Sequence, residues 1–553
     1  MSNSLAREKR IMEILDALVR EGSITCTNKE NLASEKVVEI LKENPYFKEH
    51  PELTGIFEIE GDGYNRFVPY GLIIGNKKDT VVLGGHTDVV SVSVYGESQE
   101  HAFSMGEIKK YLDVNQMNDQ QKEDFLSEQW IWGRGVADMK GGVAINLWLM
   151  EENGKKALEG QLEGSLLFIA VPDEESYSAG MRAASKLLLK LKNKHDLKYK
   201  LLIDPEPAAE LGDAQVMSLG SVGKCLPVIM VQGQLAHIGH GYNGISALNM
   251  LTNMFKKTNG SLEFSDQCEG EACMPPIWAN LRDLKEQYDV SIPERAYGYF
   301  TVLSFDTTVM DVMDKLKSIG EQAFIEETER QNNEYQQFKK INKFATKDKI
   351  YYEPQVYTLE EFKKKLKLQY GEKFDKFLDT LYEKAEADLN SGSSYPDVTV
   401  MMMEEILEFA NIKTPLILIG MAPPYYPPTH SNTVDGFDEV GSKLYKHISQ
   451  ISQKKFNQRL VYENYFMGIS DNSYTSVPDM DFEGIKANFP MWGKLYSLDF
   501  ESIKAVAMPS ILYGPIGREY HQWTERVNKQ SLLEVMPCML QEVIDFAYRL
   551  SEI

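Results

Sequence analysis

Thr80-Val81-Val82-Leu83-Gly84-Gly85-His86-Thr87-Asp88 opens as β-branched and aliphatic residues and closes on a histidine and an acid. The apolar run reads as a buried strand. His86 and Asp88 stand two apart at its exit, where side chains of an extended chain point to one side. An imidazole in that position suits a metal, and the neighbouring carboxylate can fix its tautomer from behind. A solvated turn is the ordinary home of such a pair. Four further stretches with the same grammar change that balance.

The first is Trp132-Gly133-Arg134-Gly135-Val136-Ala137-Asp138-Met139-Lys140-Gly141-Gly142, where glycines around Asp138 let backbone approach closely. The apolar run 143–150 after it reads as a buried helix, and the spacing of a Walker phosphate loop is absent. The second is the strand Ser165 to Val171, ending in Pro172-Asp173-Glu174-Glu175-Ser176. Adjacent carboxylates at the end of an apolar strand call for a cation: one glutamate as ligand and its neighbour as general base would answer that. The third runs from Lys200 through Ile203 into Asp204-Pro205-Glu206-Pro207, and the fourth from Pro509 through Tyr513-Gly514-Pro515 to Glu519-Tyr520-His521-Gln522-Trp523-Thr524-Glu525. In open α/β sheets sites form at the carboxyl ends of strands, so these ends are expected to converge.

These blocks, with Ala236-His237, Gly468-Ile469-Ser470-Asp471 and Gly180-Met181-Arg182-Ala183-Ala184, resemble the M20 family of co-catalytic zinc peptidases and deacylases. The look is nearest the arginine-utilisation (RocB-type) branch. The resemblance implies two Zn2+, or Co2+ or Mn2+, per chain. In it Asp138 bridges both ions, His86 and the acid at the third strand end complete one, and Glu175 and His521 complete the other. Glu174 is the general base and Asp88 orients His86. For the third strand end both Asp204 and Glu206 fit; Glu206 is favoured because it sits later in the exit turn, and Asp204 stays open. His237 matches the lid histidine that steadies the tetrahedral oxyanion. Gly241 and Tyr242 stand where the family's loop carries a proline, which leaves His240 as a substitute. Asp471 is read as a residue behind the ligands or a structural one, not as a ligand.

The composition fits a soluble globular protein: 553 residues, 43% apolar, 25% charged. A net charge of −23 argues against nucleic-acid and anionic-membrane partners. No apolar run is long enough to span a bilayer. The five scattered cysteines lack a paired spacing, and the amino-terminal residues do not form a signal segment, so a cytoplasmic location is expected. His50, His101, His195, His430 and His447 lie in polar surroundings and are expected at the surface. Met401-Met402-Met403 reads as helix packing.

The pattern predicts an α/β catalytic domain, a mainly parallel sheet flanked by helices, with an inserted smaller α+β lid domain. Residues 1–220 form its first part, 221–430 the lid and 431–553 its second part. Helices are expected over 11–19, 33–41, 179–191, 245–256, 309–332 and 440–451, and strands over 225–232, 297–305 and 414–420. A charged helical insertion is expected at about 335–390, with a helix over 360–381. The proline-rich 423–428 is expected outside regular structure. The resemblance implies a metal-dependent amidohydrolase that cleaves a small peptide or N-acyl amino acid in arginine or amino-acid catabolism, with a homodimer formed through the lid. The competing reading is a catalytically silent relative that binds a metabolite or partner. Such a relative is expected to have lost a ligand-type residue, and here each position is filled.

Overall fold

The computed structural model describes residues 2–285, 287–346, 348 and 351–550. Residues 347, 349 and 350 of the expected insertion lie outside the described residues. The chain divides into two compact units. One comprises Met1–Val222, Pro427–Pro478 and Asp499–Ile553; the other comprises Gly223–Tyr426 and Asp479–Leu498.

The first unit is built on a nine-stranded mixed sheet. Its central strands, in spatial order, are Ser165–Ile169, Asp79–Leu83, Lys198–Asp204 and Ser510–Leu512, all mutually parallel. The parallel core follows from runs apolar on both faces: Val81, Val82 and Leu83 are wholly buried, as are Leu166 to Ile169. Each such side chain contributes about 1.5–3 kcal/mol through burial. The outer strands Thr54–Glu58 and Phe67–Ile73 are antiparallel additions, and Ala214–Ser218 meets Ser510–Leu512 antiparallel and Arg459–Glu463 parallel. Helices flank the sheet. Lys140–Leu158 packs against Ser2–Arg20, and Ala179–His195 covers the two outer strands. Met181, Ala184, Leu188 and Leu191 form the buried stripe of that last helix at helical spacing. Because the central strands are parallel, their carboxyl ends share one edge of the sheet. That edge carries every ligand-type stretch of this unit except the turn around Asp138, which leads into the helix Lys140–Leu158.

His430 departs from expectation. It is buried in the strand Thr429–His430, paired with Gly220–Ser221, and its ring lies 5.0 Å from that of Tyr465. Its Nδ1 accepts the amide of Asn432 at 3.1 Å, so the ring is held inside by a local turn that polar flanking residues do not reveal. His447 is half-buried against Phe546, with ring centroids 4.9 Å apart.

The second unit carries a five-stranded sheet in the order Ile277–Asp283, Arg295–Ser304, Gly223–Gln232, Leu416–Tyr426 and Val356–Thr358. All pairs are antiparallel but the last. Helix Ala247–Thr258 packs on this sheet and on Val309–Ile341. The latter opens with a capping box between Thr308 and Asp311. Met402 and Met403 are buried in the helix Tyr395–Ala410.

Two expectations are corrected here. The strand Leu416–Tyr426 runs through Pro423 and Pro424, which were expected outside regular structure. Its register against Gly223–Gln232 jumps from Leu226 opposite Ala422 to Lys224 opposite Tyr426. The prolines thus sit in a bulge, where no ladder N–H is needed from them. The helix expected over 360–381 is two helices, Leu359–Tyr370 and Glu372–Asn390, broken at Gly371. Gly371 has φ +54°, which a helix cannot continue through and which favours glycine.

Candidate metal centre

The first unit gathers His86, Asp138, Glu175, Glu206 and His521 around one point. Asp138 stands in the middle. One of its carboxylate oxygens lies 3.0 Å from His86 Nε2 and the other 3.3 Å from His521 Nε2. Glu206 approaches the His86 nitrogen at 3.5 Å, and Glu175 approaches the His521 nitrogen at 3.0 Å. Two histidine–carboxylate pairs therefore share one central carboxylate. The donor set passes a simple test of fit. A tetrahedral ion with bonds of about 2.0–2.1 Å places its ligand atoms about 3.3 Å apart, the spacing seen here. Ligand atoms of His86, Asp138 and Glu175 all fall within 4.8 Å of one another.

This geometry agrees with what the whole chain is similar to. Residues 82–543 match the model of peptidase family M20/M25/M40. The chain belongs to that family. It is 29% identical over 548 residues to the uncharacterized protein YqjN of Bacillus subtilis (strain 168), covering 98% of this chain and 97% of that one. It is 26% identical over 547 residues to protein RocB of the same organism, covering 97% and 94%. A solved structure described as the Bacillus subtilis YXEP protein, a dinuclear metal binding peptidase from the M20 family, shares the fold with a TM-score of 0.50 at 10% identity over 98% of both chains. As an M20 member the chain is a metal-dependent hydrolase of amide bonds.

The candidate site is assembled by close backbone contacts at the strand exits. Beyond Leu83 the chain continues beside the next parallel strand, with Thr87 N donating to Val171 O and Val171 N to Gly85 O. This buries His86 and aims its ring. The Pro205–Glu206 turn is pinned by Gly142 and Gly514. A Cβ at either would stand 2.2 or 2.1 Å from the Pro205 carbonyl oxygen, so both positions require glycine. Asp204 is buried beside the site. Among the described residues no ion pair within 4.0 Å joins it to either histidine, whereas Glu206 makes one. His86 Nδ1 faces the main-chain oxygen of Asp88 at 3.0 Å, nearer than the Asp88 carboxylate at 3.7 Å. That carboxylate instead accepts the amides of Glu174 and Glu175, each at 3.2 Å. Asp88 thus clamps the turn that carries both glutamates. Glu174 turns its carboxylate toward His86, 4.0 Å from Nε2.

The electrostatics are those of carboxyls short of positive charge. Burial is the main cause that pushes Asp204 up to about 7 and Asp471 up to about 8. Burial likewise carries Glu174 and Glu206 well above the usual carboxyl range, with neighbouring carboxylates adding to it. Burial opposes ionisation of Asp138 too, but the hydrogen bonds from His521 and His86 win and hold it below its ordinary value. Hydrogen bonds to Asp138 and Glu175 raise His521 to about 10. Two imidazoles do not offset these acids, and a bound cation would.

Three supporting residues have no role that the sequence assigns, although Arg134 and Glu525 stand inside the stretches quoted above. Arg66, nearly unexposed, pairs with Asp173 at 2.7 Å, Asp62 at 2.7 Å and Glu30 at 3.1 Å. It thereby anchors Asp173, whose other oxygen accepts the amide of Ala179. Asp173, with φ +70°, is a foot of the turn and does not reach the centre. Arg134 and Glu525 form a second buried pair, with Nη1 to Oε2 at 2.5 Å. Arg66 lies in a loop without pattern, and no local signal marks it. Glu525 shares its turn with His521 and could have been found by asking what holds that turn.

His237 and His240 belong to the second unit and are exposed there. His237 caps the short helix Ile238–Asn243, its Nδ1 accepting the amide of Gly239 at 3.1 Å. That helix borders a cavity of about 1000 Å³ walled by Val309–Ile341 through Arg330, Gln331 and Tyr335. Among the described residues no helix is long and apolar enough to cross a membrane.

Proposed function

We propose that this protein is a two-metal amidohydrolase that cleaves a small peptide or an N-acyl amino acid, in arginine or amino-acid catabolism. The observation that carries the two-metal reading is the placement of Asp138, with one oxygen toward each histidine. On this reading Asp138 would offer one oxygen to each of two ions. His86 and Glu206 complete one position, with Asp204 behind them; Glu175 and His521 complete the other. Bound zinc, cobalt or manganese supplies Lewis acidity and lowers the pKa of water to about 7. Glu174 takes the proton from the attacking water and returns it to the departing amine. Its buried, carboxylate-crowded surroundings raise its affinity for that proton. Asp88 keeps Glu174 and Glu175 in register. His237 donates to the oxyanion of the tetrahedral intermediate.

The family supports the substrate class, and the branch the sequence resembles supports the catabolic setting. Free cysteine thiols fit a cytoplasmic location, and pairing of two copies through the second unit is the proposed assembly. The test is direct. Chelator-stripped protein is reloaded with Zn2+, analysed for metal, and profiled against dipeptides and N-acyl amino acids. Two ions per chain and hydrolysis that a chelator abolishes are expected. A single ion, or an inert loaded protein across both panels, would overturn the proposal.

A further inference from the structure

The two halves of the centre are built differently. His86 is 1% exposed and rides on the continuation of a central strand. The His521 side chain is 50% exposed and sits at φ +64° in a turn. Left-handed backbone at a non-glycine residue persists where its surroundings impose it. Arg134 and Glu525 are those surroundings. Arg134 Nη2 donates to the main-chain oxygen of His521 at 3.0 Å, and Nη1 pairs with Glu525. The second oxygen of Glu525 accepts the amides of Ala137 at 3.2 Å and Asp138 at 3.3 Å. The Glu525 carbonyl accepts the amide of Gly133 at 3.2 Å. A closed path thus runs from the Asp138 backbone through two buried side chains to the His521 backbone. It fixes the distance between two residues that face each other across one half of the centre.

We propose that Arg134 and Glu525 are positioning residues that set the affinity of the metal position served by Glu175 and His521, and leave the His86 position alone. This rests on the two-metal reading above. The planar fork of arginine reaches a carboxylate and a carbonyl at once, which a lysine ammonium on a flexible stem does not. The turn itself has other anchors: Glu519 is paired with Arg526 and takes a hydrogen bond from Gln121 at 2.6 Å. Loss of the clamp therefore moves His521 without unfolding the turn.

The test uses the full chain, stripped of metal and titrated with Zn2+ against a competing chromophoric chelator. Wild type and the Arg134→Lys variant are compared, with His521→Ala marking the step that belongs to His521. Arg134→Lys should weaken that one step by about 10–100-fold, the usual effect of losing an outer partner of a ligand, and leave the other step unchanged. Its turnover should return when Zn2+ is raised to saturate the weakened step, which a merely structural defect would not allow. Should Arg134→Lys fail to fold, Glu525→Gln serves, since its amide oxygen can still accept from Ala137 and Asp138 while the ion pair is lost. Two wild-type steps that the variants leave alone, or weaken equally, overturn this inference and spare the two-metal reading. Fewer than two steps in wild type overturn both.

Discussion

Glu174 and Glu175 are chemically alike and adjacent, so the pair Glu174→Gln and Glu175→Gln separates proton transfer from metal binding. Both amides of the turn are held by Asp88, so either replacement leaves the backbone in place. Glu175 Oε2 stands 3.0 Å from His521 Nε2, at ligand-to-ligand spacing; the nearest histidine to Glu174 is His86 at 4.0 Å. Glu174→Gln should therefore keep its metal and lose turnover by at least about a hundredfold, the low end for a general base, or about 2.7 kcal/mol on the barrier. It should not lower the melting temperature of the metal-free protein. Burial and the carboxylates of Glu206, Asp471 and Glu175 already penalise a charge at Glu174, and glutamine removes that charge. Glu175→Gln should instead weaken metal binding by at least about tenfold, and excess metal should restore part of its turnover. Metal content after dialysis, steady-state turnover on the best substrate of the two panels, and thermal melting decide it. Metal loss in Glu174→Gln with full retention in Glu175→Gln would refute the assignment of roles.

Asp138→Ala should lose both ions; one tightly held ion remaining by metal analysis would sink the bridging role. The metal-free protein should lose stability as pH rises from about 5 to about 8, measured by chemical denaturation. Folded Asp204 and Asp471 keep protons up to about 7 and about 8, while the unfolded chain releases them near 3.8, so the folded state binds more protons across that window and stability falls with pH. His521, raised from 6.5 to about 10, adds stability that is full below 6.5 and is lost as pH climbs toward 10, which acts in the same direction. Stability that rises over this window would show the acids to be ionised and paired. His237→Ala should lower turnover by about 2.7–4 kcal/mol in barrier with little change in KM or zinc content; normal turnover there, with loss in His240→Ala, would move the role three residues along.

Much of the centre could be read from the chain because each ligand-type residue stands just past a run of aliphatic residues, or, for Asp138, in a glycine-rich turn before an apolar helix. Period and exit chemistry are local, and they survive in one dimension. What could not be read is long-range. Arg66 meets Asp173 across 107 residues and Arg134 meets Glu525 across 391, and a charged residue bound for burial looks like any surface charge until its partner is known. The segment Asp479–Leu498 belongs to the second unit, yet its mixed composition carries nothing that says so. The prolines at 423 and 424 misled for a physical reason. Their cost applies to a ladder that needs the missing N–H, and the bulge opposite Cys225 removes that need.

The same distinction bears on the different work proposed for two identical side chains. Neither composition nor spacing separates Glu174 from Glu175; direction does. Asp88 holds the two consecutive amides, one on each carboxylate oxygen, and successive residues of the turn then project apart. One carboxylate reaches His521 on the accessible side, and the other is turned toward buried His86 and Asp471. Burial and Asp138 press on Glu175 as well, but its hydrogen bond with His521 offsets part of that and sets it at ligand spacing, which suits it to hold a cation. A carboxylate driven into a crowd of acids is suited to take up a proton instead. On the proposed reading the adjacent pair, which as bare sequence reads as two mutually repelling charges, becomes a ligand and a base through a single acid placed 86 residues earlier in the chain.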